Sequence, residues 1–202
     1  FFVSGHPFNA FKPEVRRFVR PTLPQLEPSR DITMLAGVVM EQRTKVGNRG
    51  KMAFVQIDDG TEPREVTGYS EVLDASRGKI VTDEVVVVEA KVSNDDFSGG
   101  LRIIADRILT LGEARSRFAR ALQLRINCEV AASGGAVTAA GKLQTLLEPF
   151  REGGCPIRVS YRNASAEAEL PLGDEWRVRL DDALLESLRE WLPPEAVEVL
   201  YP

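Results

Sequence analysis

Histidine occurs once in this 202-residue chain, at His6, and cysteine only twice, at Cys128 and Cys155. No metal cluster with His spacing can be read from that set, and any Ser-His-Asp triad would have to run through His6 itself. His6 sits between Gly5 and Pro7, a turn setting, and reads as a turn residue rather than a base. Each cysteine lies in an apolar strand pattern, so both read as small core residues and no disulfide framework is expected. The phosphate-cradling pattern G-x-x-x-x-G-K-S/T is absent. No apolar run approaches the roughly 20 residues that cross a bilayer, and no signal peptide is visible, so no membrane partner is expected. The acid pairs Asp58-Asp59 and Asp95-Asp96 stand at turn positions, where Asp bonds its own backbone, and read as turn residues rather than magnesium ligands. No catalytic and no metal-binding residues are assigned.

An excess of positive charge is missing as well. The formal net charge is −4, which excludes a protein that coats nucleic acid by bulk attraction. Residues 1–30 carry five Lys/Arg against two acids, residues 31–111 ten against fourteen, and residues 112–202 eleven against fourteen. Positive charge is concentrated in one loop, where Arg43, Lys45, Arg49 and Lys51 fall within nine residues with no acid between them. Gly47 and Gly50 allow that loop's backbone close to a ligand, and its cations could follow successive phosphates.

What is present is a run of short strands. Residues 31–109 read as five, with the basic loop after the first, a hairpin at Asp58-Asp59-Gly60, and a brief helical connection before the fourth. The first alternates Ile32, Met34, Ala36, Val38 and Met40 on one face, and the second sets Ala53, Val55 and Ile57 against Met52, Phe54 and Gln56. The fourth, Val85 to Val92, is apolar on both faces at its start and reads as the most buried. This is the strand plan of an OB barrel, a fold that holds single-stranded nucleic acid on its strand two and three face and flanking loops. Base stacking there needs aromatics. Phe54, Tyr69 and Phe97 are the ones available; Phe54 reads as core, and Phe97 as the best platform. The residues assigned to nucleic acid are Arg43, Lys45, Asn48, Arg49, Lys51, Arg64, Phe97 and Arg102.

Before the barrel, residues 1–30 hold five of the twelve prolines and read as the end of a preceding domain plus a Pro-rich linker. Phe1, in an apolar run, reads as a cut within a longer protein. The barrel is assigned 31–111. Residues 112–202 read as a smaller α+β domain: a leading helix from Gly112 to Gln123, then strand Leu124–Ala131, helix Ala139–Arg151, strands Ile157–Arg162 and Ala164–Leu172, helix Asp181–Trp191 and strand Val197–Tyr201. That order is a split βαβ of the ferredoxin-like kind. Its expected central strands, LRINCEVA and AEAELPLG, carry no aromatic, which argues against an RNA reader and for a protein-interaction role. Trp191, Leu192, Val199, Leu200 and Tyr201 are the candidate partner-binding residues, with closure of the domain's own core as the competing reading.

Several stretches together resemble a known family. SGHPF (Ser4 to Phe8), GVVMEQRTKVGNRGKMAFVQIDDGT (Gly37 to Thr61), DDFSGGLRIIADRI (Asp95 to Ile108) and EARSRFARAL (Glu113 to Leu122) are similar to the C-terminal part of bacterial replicative DNA polymerase III alpha subunits. The likeness covers the whole chain, strongest at SGHP and from Gly37 to Leu122. The resemblance implies a cytoplasmic polymerase fragment without the polymerising site or the clamp-binding peptide, both upstream. No cofactor is implied for the fragment, while magnesium is implied for the parent polymerase. It further implies an OB domain on single-stranded template, with Arg43 to Lys51 as its loop after strand one, a C-terminal domain that docks the clamp loader's tau subunit, and other replisome subunits reached through the upstream regions. The competing reading is the anticodon-binding OB domain of a class II aminoacyl-tRNA synthetase, for whose catalytic domain the remaining 91 residues leave no room. A stand-alone single-strand binding protein is disfavoured by the acidic charge and the few aromatics.

Overall fold

The structure is a computed structural model that describes residues 5–47, 50–95, 99–127, 135–162 and 167–201, with backbone alone at 135–138. The chain divides into two compact units, Phe1–Leu111 and Gly112–Pro202.

In the first unit, strands β1 (Thr33–Gly47), β2 (Gly50–Asp58), β3 (Arg64–Tyr69), β4 (Val85–Asn94) and β5 (Leu101–Thr110) close into a barrel in the order β1-β2-β3-β5-β4. Closure is possible because β1 is long enough to serve two neighbours. Its first half pairs with β4 from Thr33↔Ala90 to Val38↔Val85, and the rest pairs with β2 from Val38↔Asp58 to Gly47↔Gly50. Where the two ladders meet, a Cβ at Gly37 would stand 2.9 Å from the Asp58 carbonyl oxygen, so this close crossing requires glycine. A parallel contact of β3 with β5 seals the barrel. Its core is Leu35, Val39, Val55, Ile57, Val66, Val86, Val88, Ile103 and their neighbours, and β4 is buried without a break from Val85 to Ala90.

Two expectations change in this unit. The alternation of β1 puts Ile32, Met34, Ala36, Val38 and Met40 on one face; Ala36 and Val38 are buried, but the barrel cluster takes Leu35 and Val39 from the other face, while Ile32 and Met40 are exposed. Residues 5–30 are also not an extended linker. Leu23 and Leu26 join the barrel core, the turn Pro7–Ala10 packs against β1, and Phe8, Val15 and Val19 are buried. The prolines shape short turns there, at Pro7–Ala10, Lys12–Val15 (helix α1) and Leu23–Gln25, each with Pro in its first positions. Helix α2 (Ser70–Ala75) is the brief connection before β4.

The second unit opens with helix α3 (Leu111–Phe118) and continues through β6 (Ala121–Asn127), α4 (Gly135–Leu147), β7 (Arg151–Cys155), β8 (Ile157–Arg162), β9 (Glu167–Pro171), α5 (Asp182–Trp191) and β10 (Val197–Leu200). The leading helix stops before Gln123 because Ala121, Leu122 and Gln123 pair with Leu200, Val199 and Glu198. That partner strand is remote in sequence and invisible to local periodicity. The sheet order is β10-β6-β8-β9, with β6 and β8 parallel and adjacent. The βαβ is therefore not split as a ferredoxin-like sheet would have it. Burial gives the reason: β8 places Ile157 and Val159 in the core, whereas all of β9, with Glu167, Glu169 and Pro171, is exposed. Charged residues and proline suit an edge, so the apolar strand takes the interior place. Tyr161, not foreseen, thus lies on a central strand, partly buried against the core. Leu122, Leu124 and Ile126 of β6 meet Leu143 and Leu147 of α4 and Leu184, Leu185 and Leu188 of α5 in one cluster.

Candidate nucleic-acid interface

The β-bulge between Val39 and Glu41 governs what the barrel shows to solvent. Met40 is the extra residue, and one inserted residue reverses the in-out alternation of everything after it. Gln42 then aligns with inward Val55, while Arg43 aligns with Phe54 and Lys45 with Met52 on the outer face. On the other side of β2 the same face continues with Glu65 beside Gln56, Thr67 beside Phe54 and Tyr69 beside Met52. Three cross-strand rows result: Glu41-Gln56-Glu65, Arg43-Phe54-Thr67 and Lys45-Met52-Tyr69.

Polar contacts fix the rows. Arg43 Nη2 donates to Glu65 Oε2 at 2.8 Å, and its Nε lies 3.6 Å from Glu41 Oε1. Lys45 Nζ stands 5.6 Å from the centroid of the Phe54 ring, a cation–π contact. Arg102 Nη2 donates to the Tyr69 hydroxyl at 3.1 Å and so extends the face to β5. The sequence pattern puts Phe54 in the core. It is outward and half-buried instead, because Ala53, Val55 and Ile57 occupy the inward positions on either side.

The remaining assigned residues separate. Arg64 pairs in register with inward Ile57 and is spent on both oxygens of Glu62, at 2.9 and 3.2 Å, and on the Leu23 carbonyl at 3.5 Å. It buttresses the barrel end and does not join the face. Lys51 is exposed but pairs with Val46, on the other side of the ribbon from Lys45. Among the described cations of the loop, Lys51 therefore does not share a face with Arg43 and Lys45. Asn48, Arg49 and Phe97 lie outside the described residues. The sequence reading misses Glu41 and Glu65; nothing in their spacing pairs them with Arg43 unless the bulge is known.

His6, Asp58 and Asp59 make local structural contacts. His6 Nδ1 accepts from the Phe8 N–H at 3.2 Å, and its Nε2 lies 3.4 Å from Asp58 Oδ2. Asp58 Oδ1 accepts from the Gly60 N–H at 2.8 Å, and Asp59 accepts from Arg16, the Leu23 N–H and the Thr61 hydroxyl. Asp96 lies outside the described residues, as does Cys128. Among the described residues no group of three or more His, Cys, Asp or Glu is placed to hold a metal ion. Burial pushes the Cys155 thiol up to about 11, so it stays protonated and unreactive.

In the second unit the candidate partner residues turn mostly inward. Leu192 and Val199 are buried in the core, and Trp191 and Tyr201 are packed partly against it. Lys142 Nζ covers Trp191 at 5.4 Å from the ring centroid. Leu200 is half-buried on edge strand β10. No helix among the described residues is long and apolar enough to cross a membrane.

Two family models match this chain: "OB-fold nucleic acid binding domain" over residues 34–111 and "DNA polymerase III subunit alpha, C-terminal domain" over residues 142–192. Among curated relatives, DNA polymerase III subunit alpha of Pseudomonas aeruginosa is 38% identical over 99% of this chain, that of Vibrio cholerae 34% over 99%, and that of Escherichia coli K12 32% over 99%. The chain spans 17% of the length of each. Among solved structures, the second OB-fold domain of replication protein A from Methanococcus maripaludis overlaps at a TM-score of 0.36 and 18% identity, over 45% of this chain and 93% of that one. Relatives that match this chain from end to end favour the polymerase reading over the synthetase one.

Proposed function

Because the chain is related along nearly its whole length to the C-terminal region of DNA polymerase III alpha subunits, we propose that it serves bacterial DNA replication in the cytoplasm by binding single-stranded DNA on the outer face of β1, β2 and β3. The observation that supports this most is the outward juxtaposition of Arg43, Lys45, Phe54, Tyr69 and Arg102, cations interleaved with rings on one sheet face. Rings stack on bases without regard to sequence, and cations follow phosphates. With a net charge of −4 and few cations in line, the grip is weak and sequence-tolerant.

Fluorescence anisotropy with a labelled twenty-thymidine strand tests the reading. Lys45→Ala with Arg102→Ala should weaken binding and flatten the slope of log K against log salt by about 0.7 for each phosphate no longer neutralised. Phe54→Ala should cost about 1–3 kcal/mol. Unchanged affinity in both variants would leave the face as ordinary solvated surface.

For the second unit we propose docking of the clamp loader's tau subunit, supported by the match at residues 142–192. A pull-down of the 202-residue chain with purified tau tests it, and no capture would remove the proposal. Polymerisation and its magnesium belong, on this reading, to the remainder of a longer polypeptide. Primer extension by this chain alone, with magnesium and four nucleotides, should yield nothing above a contaminant control.

A further inference from the structure

The outer face of the barrel is graded in charge. The row Lys45-Met52-Tyr69, with Arg102 bonded to Tyr69, lies toward the hairpin end of the sheet. Next comes Arg43-Phe54-Thr67, and then Glu41-Gln56-Glu65, which places two exposed carboxylates on the face proposed to take DNA. Rows two residues apart on a strand are separated by about 6.6–6.8 Å, less than the screening length of about 10 Å at 0.1 M salt. A phosphate seated at the Phe54 row therefore feels both carboxylates. Arg43, the cation of that row, is the group they hold, at 2.8 Å from Glu65 and 3.6 Å from Glu41.

We propose that the Glu41–Glu65 row limits the affinity of this face for single-stranded DNA by holding Arg43 and by ending the strand's track at Phe54. The proposal rests on the DNA-binding reading above. Exposed ion pairs of this kind are weak, so a phosphate can displace Glu65 but gains little, because Arg43 arrives already neutralised. A polymerase-associated template contact that must slip at every added nucleotide is served by such a hold: the strand is guided without being gripped.

The test is a double-mutant cycle on the 202-residue chain, read by anisotropy with the twenty-thymidine strand over a salt series. Glu65→Gln should tighten binding about three- to tenfold and steepen the salt slope by up to about 0.7, since Arg43, left with only the longer Glu41 contact, is freer to neutralise a phosphate. Arg43→Ala should weaken binding in the native background, and by a clearly larger factor in the Glu65→Gln background, where it should cancel most of the gain and restore the shallow slope. An equal gain with and without Arg43 would mean that Glu65 acts only as a general negative charge, and would overturn the restraint. Unchanged or weaker binding in Glu65→Gln, while Lys45→Ala with Arg102→Ala still loses affinity, would overturn the proposal and leave the DNA-binding reading standing. Absence of binding in every variant, Glu65→Gln included, would sink both.

Discussion

Asp59 is 1% exposed, and its Oδ2 takes hydrogen bonds from Arg16 Nη2 at 3.2 Å and the Leu23 N–H at 3.1 Å. It is the buried carboxylate that, alongside the His6–Asp58 contact, ties residues 5–30 to the β2–β3 turn. Asp59→Ala leaves the buried Leu23 N–H without its partner and Arg16 without its counter-charge, and should destabilise the first unit by about 2–4 kcal/mol in urea unfolding. A loss under about 0.5 kcal/mol would show that Asp59 is not what holds the segment in place. Cys155 works in the second unit through its proton. Its pKa rises from 9.0 to about 11 by burial, so the folded state holds the proton more tightly than the unfolded chain. Its contribution is whole below pH 9 and is lost as pH rises through 11. Stability of the second unit should decline over that window, and Cys155→Ala should flatten the decline while lowering stability at neutral pH. An equally steep decline in the variant would assign the effect to other groups.

At the level of elements, α5 and β10 decide whether the chain end is interface or core. Leu184, Leu185 and Leu188 of α5 pack with Leu192, Val197 and Val199 on Leu122 and Leu124 of β6. Removing residues 191–202 strips β10 from β6 and uncovers both leucines. Such a truncation should abolish cooperative unfolding of the second unit, seen as the disappearance of a transition in thermal circular dichroism, rather than merely cost a partner. An intact transition without tau capture would restore the interface reading of Trp191 and Tyr201. The bulge at Met40 is the corresponding device in the barrel: one unpaired residue re-aims Arg43 and Lys45 outward, and without it β1 could not serve both the buried core and the polar face.

For the whole molecule, each unit owns a separate core, one built around Leu35, Ile57 and Ile103, the other around Leu122, Leu147 and Leu184. Units with their own cores can fold on their own. The fragment 1–111 is therefore expected to unfold cooperatively and to bind the thymidine strand as the 202-residue chain does, while 112–202 alone should not bind it. Binding that needs both units would refute the assignment of DNA to the barrel face.

Much of this was legible in the chain, because it depended on local chemistry. Asp58-Asp59-Gly60 favours a tight turn, Val85 to Val88 is apolar on both faces and so lies inside, and lone His6 offers no metal cluster with His spacing. Those residues determined the OB strand plan. What the tertiary structure decided depends on partners distant in sequence. A bulge reversed the faces of β1, so that Phe54 met Lys45 and Arg43 met Glu65; pairing with β10 turned Ala121 and Leu122 from helix to strand; and the competition between β8 and β9 for the inner place set the second sheet's order. Alternation says that two faces exist, but which face is inside is settled by packing, and one unpaired residue is enough to exchange them.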